Sequence, residues 1–195
     1  DNTDPVAAIT SDVVWDNDGV VTVTWTASDA GSGINTCTLT VAGQTHDCLA
    51  NASPADFTVA DGADYTANIA ITDVAGNSGS SNTDTFSMDN TDPAAAITSD
   101  VVWENDGVVT VTWTASDGGS GIDTCTLTIS DGQTADCSAG DGSADFTMAD
   151  GAGHTANIAI ADVAGNTGSS NTDTFSTDNT DPVAAITSDV VWDND

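Results

Sequence analysis

The residues in this sequence best equipped for chemistry are carboxylates set among glycines and asparagines. The motif Asp29-Ala30-Gly31-Ser32-Gly33 returns as Asp117-Gly118-Gly119-Ser120-Gly121, and Asp73-Val74-Ala75-Gly76-Asn77 returns as Asp162-Val163-Ala164-Gly165-Asn166. A third motif, Asp-Asn-Thr-Asp-Pro, starts at Asp1, at Asp89 and at Asp178. Calcium takes about 6–8 oxygen ligands from carboxylates, asparagine side chains and backbone carbonyls of flexible loops, which is what these turns offer. Of the 31 acidic residues only Glu104 is a glutamate, although a need for solubility alone would be met by either acid. Two plainer readings stand beside the metal one. Acidity serves solubility or a saline habitat, and a single loop aspartate more often caps a turn than binds an ion.

Other chemistries leave little trace. His46 and His154 are the only histidines and do not occupy equivalent repeat positions, so no site served by both copies can use them. Carboxylate pairs abound, but glycosidase-like acid–base work needs a cleft and a carboxyl group with a raised pKa. No phosphate-binding loop, Ser-His-Asp set or dinucleotide fingerprint is present, and we expect no enzymatic activity. Trp15, Trp25, Trp103 and Trp113 could stack on sugars, yet aromatics at strand positions more often pack in a core or against a neighbour.

Charge narrows the partners. The chain has no Lys, no Arg and a formal charge of −31. Nothing in it can neutralise a phosphate, which excludes nucleic acid and direct contact with anionic membrane surfaces. Side-chain salt bridges to Lys or Arg are excluded too, so crowded carboxylates need another source of positive charge. The four cysteines fall as one pair per repeat, Cys37 with Cys48 and Cys125 with Cys137. Two thiols per repeat are too few for a zinc site, and disulfides imply an oxidising, extracellular location.

Positioning these residues falls to a repeat. The pentapeptide recurs after 88 and then 89 residues, giving modules at 1–88 and 89–177 and the opening strand and loop of a third at 178–195. The chain opens and closes inside the pattern, which predicts a longer parent protein. Each module is long enough to bury its own core. Residues 20–27 alternate Val21, Val23, Trp25 and Ala27 against Val20 and three threonines, a half-buried strand. Cys37, Leu39 and Val41 share that period, as do Tyr65, Ala67, Ile69 and Ile71. Shorter strands are expected at 5–9, 44–48, 57–59 and 83–88. Seven turn-punctuated strands per module predict an all-β chain of antiparallel sandwiches arranged end to end. Cys37 and Cys48 lie symmetrically about Ala42-Gly43, which puts them opposite each other on a hairpin. The second module's extra residue falls at that turn, near Ser130-Asp131-Gly132.

A simple antiparallel succession sends alternate loops to opposite ends of each sandwich. Asp16, Asp18 and Asp61 then fall at the far end of module one, while Asp117, Asp162 and Asn166 fall at the near end of module two. The linker residues Asp89, Asn90 and Asp92 lie between them, and these nine form the expected ion site of the junction. Asp1, Asn2, Asp4, Asp29, Asp73 and Asn77 repeat the arrangement one module earlier, and Asp178, Asn179 and Asp181 begin it one module later.

The opening Asp-Asn-Thr-Asp-Pro, the run Thr26-Ala27-Ser28-Asp29 leading to Gly31-Ser32-Gly33-Ile34, and Asp73-Val74-Ala75-Gly76-Asn77 before a Thr-rich last strand resemble the bacterial Ig-like tandem repeats of giant extracellular adhesins and surface fibre proteins. The resemblance spans the whole module. It implies an Ig-like sandwich, secretion from a prokaryote to the cell surface, a tandem array and, in many members, Ca²⁺ stiffening the links. The sequence departs from that family in its disulfides and its lack of basic residues. Three roles follow as expectations: a calcium-rigidified spacer in adhesion or biofilm matrix, whose partners are neighbouring repeats of the same chain; a self-assembling repeat of an extracellular fibre or sheath that contacts other copies; or a carbohydrate-binding accessory module of a secreted enzyme.

Overall fold

Alternation along residues 20–28 becomes the two faces of successive strands at 20–23 and 25–28: Val21, Val23 and Trp25 are buried while Thr22 and Thr26 face solvent. The computed structural model describes residues 1–50, 53–100 and 102–187. In module one the strands are β1 (Val6–Ile9), β2 (Trp15–Asp16), β3 (Val20–Val23), β4 (Trp25–Ser28), β5 (Ile34–Val41), β6 (Gln44–Asp47), β7 (Ala55–Thr58), β8 (Gly62–Asp73), β9 (Ser78–Ser80) and β10 (Asp84–Met88). In module two they are β11 (Ala94–Ile97), β12 (Trp103–Glu104), β13 (Val108–Ser116), β14 (Ile122–Ile129), β15 (Thr134–Asp136), β16 (Gly142–Thr147), β17 (Gly151–Asp162), β18 (Thr167–Ser169) and β19 (Asp173–Thr177).

Each module is a sandwich of two sheets. One pairs β1 with β4 and β3 with β7, and its counterpart is the three-stranded β11-β13-β16. The other runs β2-β10-β8-β5-β6 with β9 beside β8, repeated as β12-β19-β17-β14-β15 with β18 beside β17. The succession is not purely antiparallel, as the sequence had suggested. The chain leaves β1, crosses to the other sheet and pairs β2 parallel to β10, Trp15 opposite Ser87 and Asp16 opposite Met88. This crossing matters for function, because it carries Asp16 to the point where the linker begins.

Two separate cores result. The first is drawn from residues 7–88, with Leu39, Val41, Ile69, Ile71, Phe86 and Met88 almost wholly buried, and the second from residues 97–175. The disulfides Cys37–Cys48 and Cys125–Cys137 each tie β5 or β14 to the end of its hairpin partner. Ala42 and Gly43 both take positive φ, 47° and 78°, as a two-residue hairpin turn requires. In module two the turn is one residue longer, and Gly132 at φ 94° closes it. Thus the insertion changes only the hairpin tip, and the strands keep their faces.

The third opening behaves differently from the first two. Residues 178–187 form no strand, and Val183 and Ile186 are each 94% exposed. In modules one and two the equivalent strand pairs with β4 or β13, and no counterpart of those lies within the 195 residues. A strand needs its ladder partner to satisfy its backbone, so the expected opening strand is not formed here. The remainder of that opening, 188–195, lies outside the described residues.

Candidate cation site at the module junction

The junction is built from Asx turns. Asp117 Oδ2 accepts from the backbone NH groups of Gly119 (3.0 Å) and Gly121 (2.7 Å), which folds the loop after β13 back on itself. Asp162 Oδ1 accepts from the NH groups of Gly165 (2.7 Å) and Asn166 (2.8 Å) in the turn between β17 and β18. Asp89 enters from the linker. One of its oxygens takes the Ser120 NH at 2.5 Å and the other takes the Thr91 NH at 3.2 Å. The Asn166 side-chain NH₂ then bridges the Asp89 carbonyl (2.7 Å) and Asp162 Oδ2 (2.8 Å). A Cβ on Gly119 would overlap the Asp89 carboxylate, so only glycine leaves room for that seat.

These contacts bring together one oxygen each of Asp89, Asp117 and Asp162 within 4.8 Å of one another. Asp89 and Asp162 are 0% and 2% exposed. Burial pushes the Asp89 carboxyl up, but the NH and hydroxyl of Ser120 and the Thr91 NH outweigh it and hold the group below the ordinary carboxylate range. It therefore stays ionised at neutral pH. The same triad occurs one module earlier in Asp1, Asp29 and Asp73, with the Ser32 NH on Asp1 at 2.7 Å and the Asn77 amide on Asp73 at 2.8 Å. For Asp73, burial again pushes upward, and Asn77, Ser32 and Gly76 together pull the carboxyl lower.

One oxygen of each triad is left out of the hydrogen bonding. Asp117 Oδ1 and Asp29 Oδ1 are buried and have no donor. An ionised carboxylate oxygen can only accept, its neighbours in the triad are acceptors as well, and the chain supplies no Lys or Arg. Such an oxygen needs positive charge beside it. Three carboxylates on short, loop-borne side chains are the hard oxygen donors that calcium prefers, so the residues fit that ion.

Not every residue expected at this site joins the triads. Asp61, exposed at the far end of module one, accepts the Asn90 NH (2.9 Å) and the Thr91 hydroxyl (2.7 Å), so it clamps the linker. Asp150, which sequence reasoning did not single out, does the same for Asn179 (2.8 Å) and Thr180 (2.7 Å). Its signal was present in the repeat, since Asp61-Gly62 and Asp150-Gly151 are equivalent. Asp16 contributes its backbone carbonyl, which accepts the Asp89 NH at 2.9 Å, while its side chain and that of Asp18 cap the turn into β3. Burial, then the carboxylate of Asp18, pushes the Asp16 carboxyl up. Asn77 and Asn166 serve as donors that orient carboxylates. Asn2, Asp4, Asn90, Asp92, Asp178, Asn179 and Asp181 are exposed and stand outside both triads. Sequence reasoning also missed Ser32 and Ser120, which recur at the same position of the Gly-Ser-Gly motif, because each meets the linker aspartate through its backbone NH, which residue type does not reveal.

The two modules touch through these loops. The Asn17 side chain of module one lies over Gly165 of module two, where an added Cβ would meet its Nδ2 at 3.3 Å, and Gly19 faces the Asn90 side chain. A cleft of about 230 Å³ is lined by Trp15, Asp61, Gly62, Ala63 and Met88 together with Gly118 and Gly119. Trp15 is thus a joint residue, whereas its equivalent Trp103 is 62% exposed. Trp25 and Trp113 are core residues at 6% exposure. His46 sits between the rings of Trp25 and Phe57, and His154 packs on Phe175.

No family model matches the chain. No curated protein matches it in sequence either. Among solved structures it is similar to the fibronectin(III)-like modules of Clostridium thermocellum CbhA, at 17% identity and TM-score 0.45 over 88% of this chain and 93% of that one. It is similar as well to the Bacteroides ovatus mixed-linkage glucan utilization locus protein SGBP-B, solved with a mixed-linkage heptasaccharide, at 14% identity and TM-score 0.36 over 90% of this chain and 48% of that one. A third is the BSP domain of a biofilm associated protein, at 25% identity and TM-score 0.28 over 92% of this chain and 30% of that one. None of these superpositions reaches a TM-score of 0.5.

Proposed function

We propose that the chain is a calcium-stiffened run of sandwich modules in an extracellular surface protein, acting as a spacer in adhesion or biofilm matrix. The observation that carries this reading is the donor-free, buried Oδ1 of Asp117, held against two more carboxylates in a chain without a basic residue. Asp89, Asp117 and Asp162 would hold the ion at the joint, and Asp1, Asp29 and Asp73 would hold one at the head of module one. The ion supplies charge neutralisation at a place where linker and loops converge. Asp89 belongs to the linker, while Asp117 and Asp162 belong to module two, so binding ties the linker to the second sandwich. Asp61 and the Asp16 carbonyl tie the same linker to the first.

The disulfides support an oxidising, extracellular setting. A sugar-binding accessory role has weaker support, because Trp25 and Trp113 are in cores and Trp15 lies in the joint cleft. Small-angle scattering of the intact chain tests the spacer. In millimolar calcium the particle should be longer and its interdomain distances more narrowly distributed than in chelator. Identical profiles in both buffers would refute the stiffening role.

A further inference from the structure

Each module is closed by a parallel pair between the segment that follows its first strand and its last strand. In module two Trp103 lies opposite Ser176 and Glu104 opposite Thr177. The Ser176 NH donates to the Val102 carbonyl at 3.1 Å and the Asp178 NH to the Glu104 carbonyl at 2.8 Å. In module one the Ser87 NH donates to Val14 at 3.0 Å and the Asp89 NH to Asp16 at 2.9 Å. Strand direction decides how such a pair meets tension along the string. Parallel strands run the same way, so the incoming chain draws β12 back toward its own start while the outgoing chain draws β19 forward toward its own end. The pair is sheared and its rungs must break together, whereas a hairpin pulled at its open end loses them one at a time.

The strand that meets the load first is less secure. β11 is an edge strand whose only ladder partner is β13, anchored by Ile97 in the core and by the Asn171 side chain, which accepts the Ile97 NH at 2.9 Å. Asp89 stands just ahead of it and is tied on both sides. Its NH belongs to the pair that closes module one, while its carbonyl accepts the Asn166 amide at 2.7 Å and its carboxylate the Ser120 NH at 2.5 Å. Its two partners in the carboxylate triad sit on interior strands. Asp117 follows β13, the middle strand of its sheet, and Asp162 ends β17, which lies between β14 and β19.

We propose that the string is built to bear tension: the parallel pairs hold each module in shear, and Asp89, joined through calcium to Asp117 and Asp162, hands the load to β13 and β17 before it reaches β11. The shear pair stands on backbone geometry alone, and the load transfer rests on the calcium reading above. With three carboxylates facing one another and no cation among them, only hydrogen bonds hold Asp89 to module two. Tension then passes to β11, which leaves β13 before the parallel pair gives way. The triad of Asp1, Asp29 and Asp73 protects β1 in the same manner.

The experiment is single-molecule force extension of the full chain between terminal handles, in chelator and in millimolar calcium. Detachment of β11 frees the stretch 93–102 ahead of β12, a step of up to about 3.5 nm at ~3.5 Å per residue. The wild type should show two such short steps in chelator, one per module, and none in calcium. Asp117→Asn should show one in calcium, because it breaks the joint triad and leaves the other intact. Ser176→Pro removes one rung of the shear pair. In chelator it should lower one of the two main unfolding forces further than Leu127→Ala or Ile158→Val, whichever buried-core variant melts closer to it, since forced unfolding follows the unfolding rate and not equilibrium stability. Short steps equally frequent in both buffers, an Asp117→Asn variant with none in calcium, or a Ser176→Pro force equal to that of its matched core variant would each overturn the proposal. Calcium stiffening seen by scattering while the short steps persist would sink the load transfer alone; no response to calcium in either measurement would sink the stiffening reading as well.

Discussion

Replacing Asp117 by Asn should change sign with the buffer. In chelator the wild-type junction holds three carboxylate oxygens within 4.8 Å of one another, and unit charges at that distance repel by about 3 kcal/mol at an effective dielectric of 20. Solvent near the rim and counterions reduce what is recovered, and a net gain of about 1–3 kcal/mol is the expectation for removing one charge. The asparagine carbonyl can still accept the Gly119 and Gly121 NH groups now held by Oδ2. Its NH₂ then takes the place of the donor-free Oδ1 and points a donor where the structure has only acceptors. So the variant's second module should melt higher than the wild type's without calcium. With calcium at about 100 times its dissociation constant the wild type gains roughly 2.7 kcal/mol, worth about 10–20 °C for a domain of this size, and the variant loses most of that increment. Scanning calorimetry on both proteins in both buffers gives the four numbers needed. The Asp1, Asp29 and Asp73 triad, untouched by the mutation, serves as the internal control. A variant less stable than wild type in chelator, or one that keeps the full calcium increment, would refute the reasoning.

Other outcomes follow from the same contacts. Asp61→Ala removes both linker acceptors at an exposed position, so module melting should move by no more than about 0.5 kcal/mol while scattering shows a looser joint. Replacing Cys125 and Cys137 together by Ala opens a loop with a sequence separation of 12 residues and should destabilise module two by about 3 kcal/mol, leaving module one's calorimetric transition in place. The Asp47, Asp131, Asp136 and Asp150 carboxyls are held below their ordinary value chiefly by backbone NH groups. Groups lowered by folding stabilise above their unfolded pKa of about 3.9, and that contribution disappears as pH falls through the folded value. Melting points in chelator should therefore drop below about pH 4, and Asp131→Asn should flatten that acid limb; an unchanged limb would remove Asp131 from the explanation.

Much of the fold could be read from period-two alternation, because Val, Thr and Trp at residues 20–28 sort themselves between two faces whatever the tertiary context. The near-end loops were legible for a related reason: antiparallel strands return loops to alternate ends, and Asp1, Asp29 and Asp73 lie far apart in sequence yet come together on one side. The crossing of β2 was hidden, since a two-residue strand has no period to detect. Its consequence, the Asp16 carbonyl meeting the Asp89 NH, was therefore hidden as well. The clamp roles of Asp61 and Asp150 escaped because they depend on how the linker bends back over the far end, which side-chain type alone does not encode. Residues 178–187 carry the same sequence as 1–10 and form no strand, because the ladder partner seen in the other two copies is not among these 195 residues.

The three copies of Asp-Asn-Thr-Asp-Pro place one peptide in three surroundings. Asp1 and Asp178 are exposed, whereas Asp89 is fully buried. Its surroundings differ through Asn17 against Gly165, Asn90 against Gly19 and the joint cleft under Trp15, and Asn166 is buried where its equivalent Asn77 is only partly so. A low-dielectric triad strengthens both its internal repulsion and its attraction for a cation. On the proposed function, the charge that makes the joint unfavourable when empty is the same charge that would hold an ion once two modules meet, so docking of the sandwiches and binding of the ion would act as one coupled event.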